Sequence, residues 1–221
     1  MTRIQNVFLD LDETLISAVE TIDLQNNPKL FEQYNQKKKL FNIHTMDNEY
    51  LITERPGVQD FLDFVFKHFN VSVWTAASKE YALFVIEKVV LKKSDRKLDY
   101  ILYAEHCEHS KQCSGCLKQL NQVFHLPGYN HLNTLIIDDN RNVHKQANIV
   151  IAIKAFQFFE PNSEQDEYLS KIRKKLRKLG KLSKSPVHKL RHESKNNLKK
   201  SKDSKRTESV RSPSRVKVRK I

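Results

Sequence analysis

Near its start the chain runs Val7-Phe8-Leu9 and then turns polar at once, into Asp10-Leu11-Asp12-Glu13-Thr14. A short apolar run bounded so sharply reads as a strand buried on both faces, as in a parallel sheet. The two carboxylates at its end narrow the choice of fold further. In an open α/β sheet, ligands gather beyond the carboxyl ends of the strands. A single Asp there can simply cap the following helix. Two like charges so close repel unless something positive joins them, so the pair reads as a site. A second strand ends the same way, in Leu135-Ile136-Ile137-Asp138-Asp139-Asn140. Parallel strands can bring the two ends together. Four carboxylates around one point then call for a hard cation with oxygen ligands, and Mg²⁺ suits them when phosphate is the substrate.

The rest of the chain supports such a sheet. Val71–Trp74, Tyr100–Leu102 and Ile149–Ile153 read as further buried strands. Between the strands lie segments with helical spacing: Val58–Phe69, Lys79–Leu91 and, more briefly, Leu117–Phe124. Strands alternating with helices imply a parallel sheet covered on both faces. Residues 16–55 interrupt the alternation. Phe41–Thr45 and Tyr50–Thr53 flank Asp47-Asn48 and read as a β-hairpin, after which Pro56-Gly57 opens the next helix. Ser163–Leu179 reads as the last helix, with Tyr168, Leu169, Ile172, Leu176 and Leu179 on one face. The α/β domain is therefore expected over 1–180. Residues 181–221 are Lys, Ser, Arg and Asn with no apolar period, include Ser185-Pro186 and Ser212-Pro213, and read as a basic disordered tail.

Charge follows the same boundary. The chain is +13 overall, yet residues 171–221 hold 21 Lys and Arg against 3 Asp and Glu, which leaves the first 170 residues at a net −5. The basicity thus belongs to the C-terminal part, where nucleic-acid binding or nuclear localisation would use it. No apolar stretch approaches the ~20 residues of a membrane helix, and Met1–Asn6 does not read as a signal peptide. Three cysteines do not suggest a disulfide framework. An intracellular protein is expected. A Lys- and Asn-rich chain with four glycines also hints at an AT-rich genome, such as that of a large DNA virus.

Asp10-Leu11-Asp12-Glu13-Thr14 resembles the first motif of the haloacid-dehalogenase-like (HAD) phosphatases. Arg55-Pro56-Gly57-Val58, Trp74-Thr75-Ala76-Ala77-Ser78-Lys79-Glu80-Tyr81-Ala82 and Ile137-Asp138-Asp139-Asn140 narrow the likeness. Together they resemble the Fcp/Scp class, phosphatases of the RNA polymerase II C-terminal domain, also called NLI-interacting-factor-like, from about Val7 to about Phe156. The resemblance implies a HAD-like Rossmannoid fold. It implies Asp10 as a nucleophile that becomes an aspartyl-phosphate, and Asp12 as general acid and base. It places Thr75, with Ala76 and Thr14, around the phosphoryl oxygens, and Lys118 as the lysine that neutralises them. Asp139, preceded by Asp138, takes the place of a metal ligand, and Asp10 and the backbone carbonyl of Asp12 complete the protein ligands. Thr75 could equally cap a helix, and Lys118 could be a solvated helix lysine.

The insertions bear on substrate. About 40 residues follow the first motif and about 30 lie between Leu102 and Leu135. Neither suggests a large cap domain, and an open site suits phosphate on a protein or polymer. One departure is that His106–Cys116 lacks the basic residue that often precedes the lysine motif in the family. The same stretch holds Cys107, His109, Cys113 and Cys116, donors suited to Zn²⁺ or simply reduced thiols in a loop. The reading is a Mg²⁺-dependent phosphoprotein phosphatase, with the polymerase C-terminal domain as one substrate of that class. Rival readings are a nucleic-acid end phosphatase of the same fold and a non-enzymatic nucleic-acid-binding or scaffold protein.

Overall fold

A computed structural model describes residues 3–146 and 149–180. The disordered tail expected over 181–221 lies outside the described residues. The chain opens with β1 (Asn6–Leu9) and an excursion made of β2 (Ile16–Glu20), α1 (Thr21–Asn26), α2 (Pro28–Lys37), β3 (Ile43–Met46) and β4 (Tyr50–Glu54). It then builds α3 (Val58–His68), β5 (Asn70–Trp74), α4 (Lys79–Val85), β6 (Ile101–Leu102), α5 (Ala104–Ser114), β7 (Thr134–Asp138), β8 (Val150–Ala152) and α6 (Tyr168–Leu179).

Five strands form a parallel sheet in the order β6-β5-β1-β7-β8. Every strand expected of the sheet is present. The chain adds β5 and β6 on one side of β1 and then β7 and β8 on the other, so strand order reverses at β1, the place where such sheets bind ligands. Alternation along the strands builds two cores. Val7, Leu9, Val71, Val73, Leu135 and Ile137 face α3, α4 and α6. Phe8, Trp74 and Ile136 face the layer of Leu102, Cys107 and Leu120.

Three segments depart from the sequence reading. The insertion is more than a hairpin: β2 joins β3 and β4 in an antiparallel sheet ordered β2-β4-β3, and two short helices lie between β2 and β3. Asn27 caps α2 by accepting from the Leu30 amide, with Pro28 in the first turn. The second departure concerns Cys107 and its neighbours, read as a loop. They form α5, which buries only Cys107 and Ser110 and so carries no apolar stripe to reveal it; it stops at Gly115 in the left-handed region (φ 70°). Third, Leu117–Phe124 is not an α-helix. The backbone is extended at Gln119 and makes only a 3₁₀ turn over Leu120–Val123, because the Lys118 side chain is drawn into the carboxylate cluster. Helix α4 also ends in a π turn, Ile86–Val90, closed by the Leu91 amide on the Ile86 carbonyl at 2.7 Å.

Candidate active site

Strand register assembles the site. Leu9 pairs with Ile137 on one side and with Val73 on the other. Asp10 therefore leaves the sheet beside Asp138, and Thr75 leaves one residue further along β5. The Asp10 amide donates to the Ile137 carbonyl at 3.1 Å, which fixes the two ends together.

Asp10 and Asp138 are buried and share one cation. The Lys118 ammonium donates to Asp10 Oδ1 at 2.6 Å and to Asp138 Oδ2 at 2.8 Å, and Lys118 is 2% exposed. Burial alone would strip its proton, but the two carboxylates more than reverse that and raise its proton affinity. Asp138 is pushed up to about 7 by burial and by the charge of Asp10, against the pull of Lys118. Asp139 is pushed up to about 6, again by burial first and Asp10 second. One oxygen each from Asp10, Asp138 and Asp139 lie within 4.8 Å of one another. Three oxygen donors, all carboxylate, at the end of a buried sheet fit a hard divalent cation.

Asp12 stands apart from this group. The Tyr81 hydroxyl donates to its Oδ1 at 2.7 Å. Burial pushes Asp12 up to about 6, Tyr81 opposes this, and Asp10 adds to it. Thr14 is fully buried, with its hydroxyl 3.1 Å from Asp139 Oδ1 and 3.4 Å from Asp10 Oδ2. It faces the carboxylates. Thr75 is buried and its Oγ1 accepts from the Ala77 amide at 3.1 Å; Ala76 between them is exposed. Thr75 and Ala76 thus sit at the same end of the sheet as Asp10, without a hydrogen bond to the carboxylates.

Several supporting residues carried no role in the sequence reading. Arg55 is 1% exposed and ties the loop after Asp12 to the C-terminal segment through the Glu13, Thr14 and Lys154 carbonyls and Asp166. Gln146 accepts from the Leu120 amide and donates to the Lys118 carbonyl, which pins the lysine loop. The Asn140 amide donates to Asp138 Oδ1 at 2.8 Å. Tyr81 and Arg55 fall within segments that stand out in sequence, yet their contacts reach across 69 residues (Tyr81 to Asp12) and up to 111 (Arg55 to Asp166), which spacing does not reveal. The four Zn²⁺ donors are not gathered. Cys107 Sγ is directed at the Thr75 carbonyl, Cys116 Sγ at the Asn142 carbonyl, and Cys113 lies beside His109 on the exposed face of α5. The carboxylate trio is the one metal-suited group among the described residues.

Comparison with known proteins fits this geometry. A sequence model of the NLI interacting factor-like phosphatase family matches residues 5–186. A CTD phosphatase-like protein, 355R, of Invertebrate iridescent virus 6 is 38% identical over 177 residues, which is 76% of this chain and 95% of that protein. Its counterpart in Invertebrate iridescent virus 3 is 38% identical over 178 residues, 77% of this chain and 94% of that one. The solved structure of Fcp1, an essential RNA polymerase II CTD phosphatase, superposes with a TM-score of 0.57 at 17% identity, over 81% of this chain and 63% of that chain. That likeness shows the fold.

A parallel sheet that reverses at β1 and ends in these carboxylates defines a phosphatase of the HAD-like class. Within it, the chain belongs to the NLI interacting factor-like phosphatase family.

Proposed function

We propose that the protein is a Mg²⁺-dependent phosphomonoester hydrolase that works through an aspartyl-phosphate on Asp10, with a phosphorylated protein segment as substrate. The observation that carries this is the division of labour among the carboxylates. Asp10 is held by Lys118 in the cluster, whereas Asp12 is held by Tyr81 at its rim.

Asp10 Oδ attacks phosphorus, and the bond from phosphorus to the leaving oxygen breaks. Asp12, raised to about 6 by burial, keeps a protonated fraction near neutrality and gives that proton to the leaving oxygen. Water then attacks the phosphoryl group on Asp10, and the Asp12 carboxylate takes up its proton. Free phosphate leaves, and Asp10 is restored. Lys118 offsets the repulsion between carboxylate and phosphate, and Thr75 with the Ala76 amide receives phosphoryl oxygens. Asp10, Asp138 or Asp139 and the Asp12 carbonyl would hold the Mg²⁺, which supplies charge neutralisation at the phosphoryl oxygens. Covalent catalysis divides one difficult displacement into two easier ones.

The insertion from β2 through β4, 39 residues, holds a small sheet and two short helices, an arrangement that suits a phosphate on a protein chain better than a closed metabolite pocket. The family and the iridescent-virus relatives support substrates like the polymerase C-terminal domain and a viral source. An intracellular setting is part of the same reading; no helix among the described residues is long and apolar enough to cross a membrane. The basic residues over 181–221 serve as a tether to nucleic acid or as a nuclear localisation signal. Side-by-side turnover of a phosphoserine heptad peptide and a 3′-phosphorylated oligonucleotide tests the substrate class. Preference for the peptide is expected, and preference for the oligonucleotide would reassign the enzyme to nucleic-acid ends.

A further inference from the structure

Helix α6 is built with two unlike faces. Leu169, Ile172 and Leu176 are buried against the core. Lys171, Lys174, Lys175 and Lys178, at i, i+3, i+4 and i+7, form one stripe on the solvent side, and all four are exposed. Lys171 with Lys175, and Lys174 with Lys178, are like-charge pairs at a spacing that disfavours a helix. None of the four has a carboxylate partner among the described residues. Lys37, Lys88, Lys92, Lys93 and Lys154 are each paired with one; Lys67 and Lys79 are not, but only α6 among the described helices sets four such lysines on one face.

The stripe continues onto the neighbouring surface. The Arg177 guanidinium lies 5.0 Å from the Phe64 ring of α3. Next to it, Arg3, Lys67 and His68 border a groove of about 520 Å³ at the amino ends of β1 and β5. His68 has a lowered proton affinity, from burial first and then from Lys67, Arg177 and Arg3, which shows that these cations act on one point. Strands β1 and β5 begin here and end at Asp10 and Thr75, so the groove lies about 15 Å of strand away from the carboxylate site, and α6 runs toward the groove from Tyr168, whose ring is 5.6 Å from Arg55.

We propose that the lysine face of α6, with Arg177, Lys67 and Arg3 beside its far end, docks the phosphate backbone of double-stranded nucleic acid. From Lys171 to Lys178 the helix rises about 10 Å, a length over which a duplex presents roughly six phosphates. A lipid surface fits less well. An interfacial helix turns its apolar side to the bilayer, and α6 spends Leu169, Ile172 and Leu176 on the core. The polymer on this face is a tether and not the substrate: Asp10 and Asp138 pair with Lys118 and with none of these four lysines. This inference concerns the folded helix and stands independently of the phosphatase reading.

The test uses the full chain, wild type against the variant Lys171→Gln/Lys174→Gln/Lys175→Gln/Lys178→Gln, with affinity for a short DNA duplex measured at several salt concentrations. Loss of four phosphate contacts should flatten the slope of log K against log salt by about 3 to 4. A slope within about one of wild type overturns the proposal. Chemical acetylation of wild type with and without duplex reads the same contact without a variant. Protection of the four lysines is expected, and equal labelling overturns it. Phosphatidylserine vesicles form the second arm: vesicle binding lost in the variant while duplex binding persists would assign the face to a membrane instead. Saturating duplex should leave turnover of p-nitrophenyl phosphate unchanged, and competitive inhibition would overturn the assignment of the face as a tether.

Discussion

Replacing Arg55 with Met tests whether the loop after Asp12 is held from beneath, as its contacts indicate. The guanidinium donates to both oxygens of Asp166 at 2.9 and 2.8 Å, and to the carbonyls of Thr14 at 3.0 Å, Lys154 at 2.9 Å and Glu13 at 3.3 Å. It also lies 5.5 Å from the Phe156 ring and 5.6 Å from the Tyr168 ring. Methionine keeps the apolar stem but removes the charge over the rings and all five hydrogen bonds, so Asp166 keeps only the Tyr168 amide and the Glu13 carbonyl only the Phe156 amide. Breaking a buried pair from one side costs about 3–5 kcal/mol, a large part of the ~5–15 kcal/mol that holds an ordinary domain. With a urea dependence near 2 kcal/mol per M, the unfolding midpoint should fall by about 2 M. Asp166→Asn keeps one acceptor and should lose less than half as much. Glu13 has a left-handed backbone (φ 57°), strained for a side chain of its size, so kcat for a small phosphoester should fall along with stability. A midpoint within about 0.5 M of wild type would show that the loop holds itself and that the Arg55 network is incidental.

Three further outcomes follow from the site and its surroundings. Lys118→Gln removes the cation shared by Asp10 and Asp138; turnover of p-nitrophenyl phosphate should fall by about 10²–10³-fold, and near-wild-type turnover would deny it a role at the phosphate. Tyr81→Phe removes the hydrogen bond to Asp12 without changing the ring, so kcat should drop while the melting temperature stays close to wild type; loss of both together would make Tyr81 a packing residue only. Glu54 is raised by burial but lowered more by His44, Gln59 and Lys92, for a net proton affinity below the usual 4.5. A depressed carboxylate stabilises the fold above its unfolded value and loses that contribution as pH falls through the folded one. The stability gap between wild type and Glu54→Gln should therefore be full near pH 6 and close below about 4.5, and a gap that widens toward acid would refute the assignment.

The parallel sheet and its carboxylate ends were legible because both rest on local signals. An apolar run such as Val7–Leu9 or Leu135–Ile137 fits a strand buried on both faces, and the polar break at Asp10 or Asp138 marks where it ends. Lys118 was legible through family likeness as the lysine for the phosphate, whereas its pairing with Asp10 and Asp138 is visible only in the fold. What stayed hidden has two physical causes. Helix α5 buries one thiol and one hydroxyl, so no apolar period announces it; its neighbour Leu117–Phe124 carries the period but is pulled open by Lys118. Strand β2, Ile16–Glu20, pairs with β4 across the insertion, and such pairing depends on where the chain returns. Arg55, Tyr81 and Gln146 belong to the second group: each acts on a residue distant in sequence, and burial of a polar side chain is visible only once the fold has closed around it.

The proposed mechanism puts the phosphoryl group on Asp10. Wild-type protein mixed with Mg²⁺ and a phosphoester, quenched in acid and digested, should yield a phosphorylated peptide that contains Asp10 and loses its phosphate under alkali. Asp10→Asn, nearly identical in shape, should fold normally, show no such peptide and no turnover. Metal-dependent phosphatase activity retained in purified Asp10→Asn, or a phosphopeptide mapped elsewhere in the chain, would contradict the mechanism.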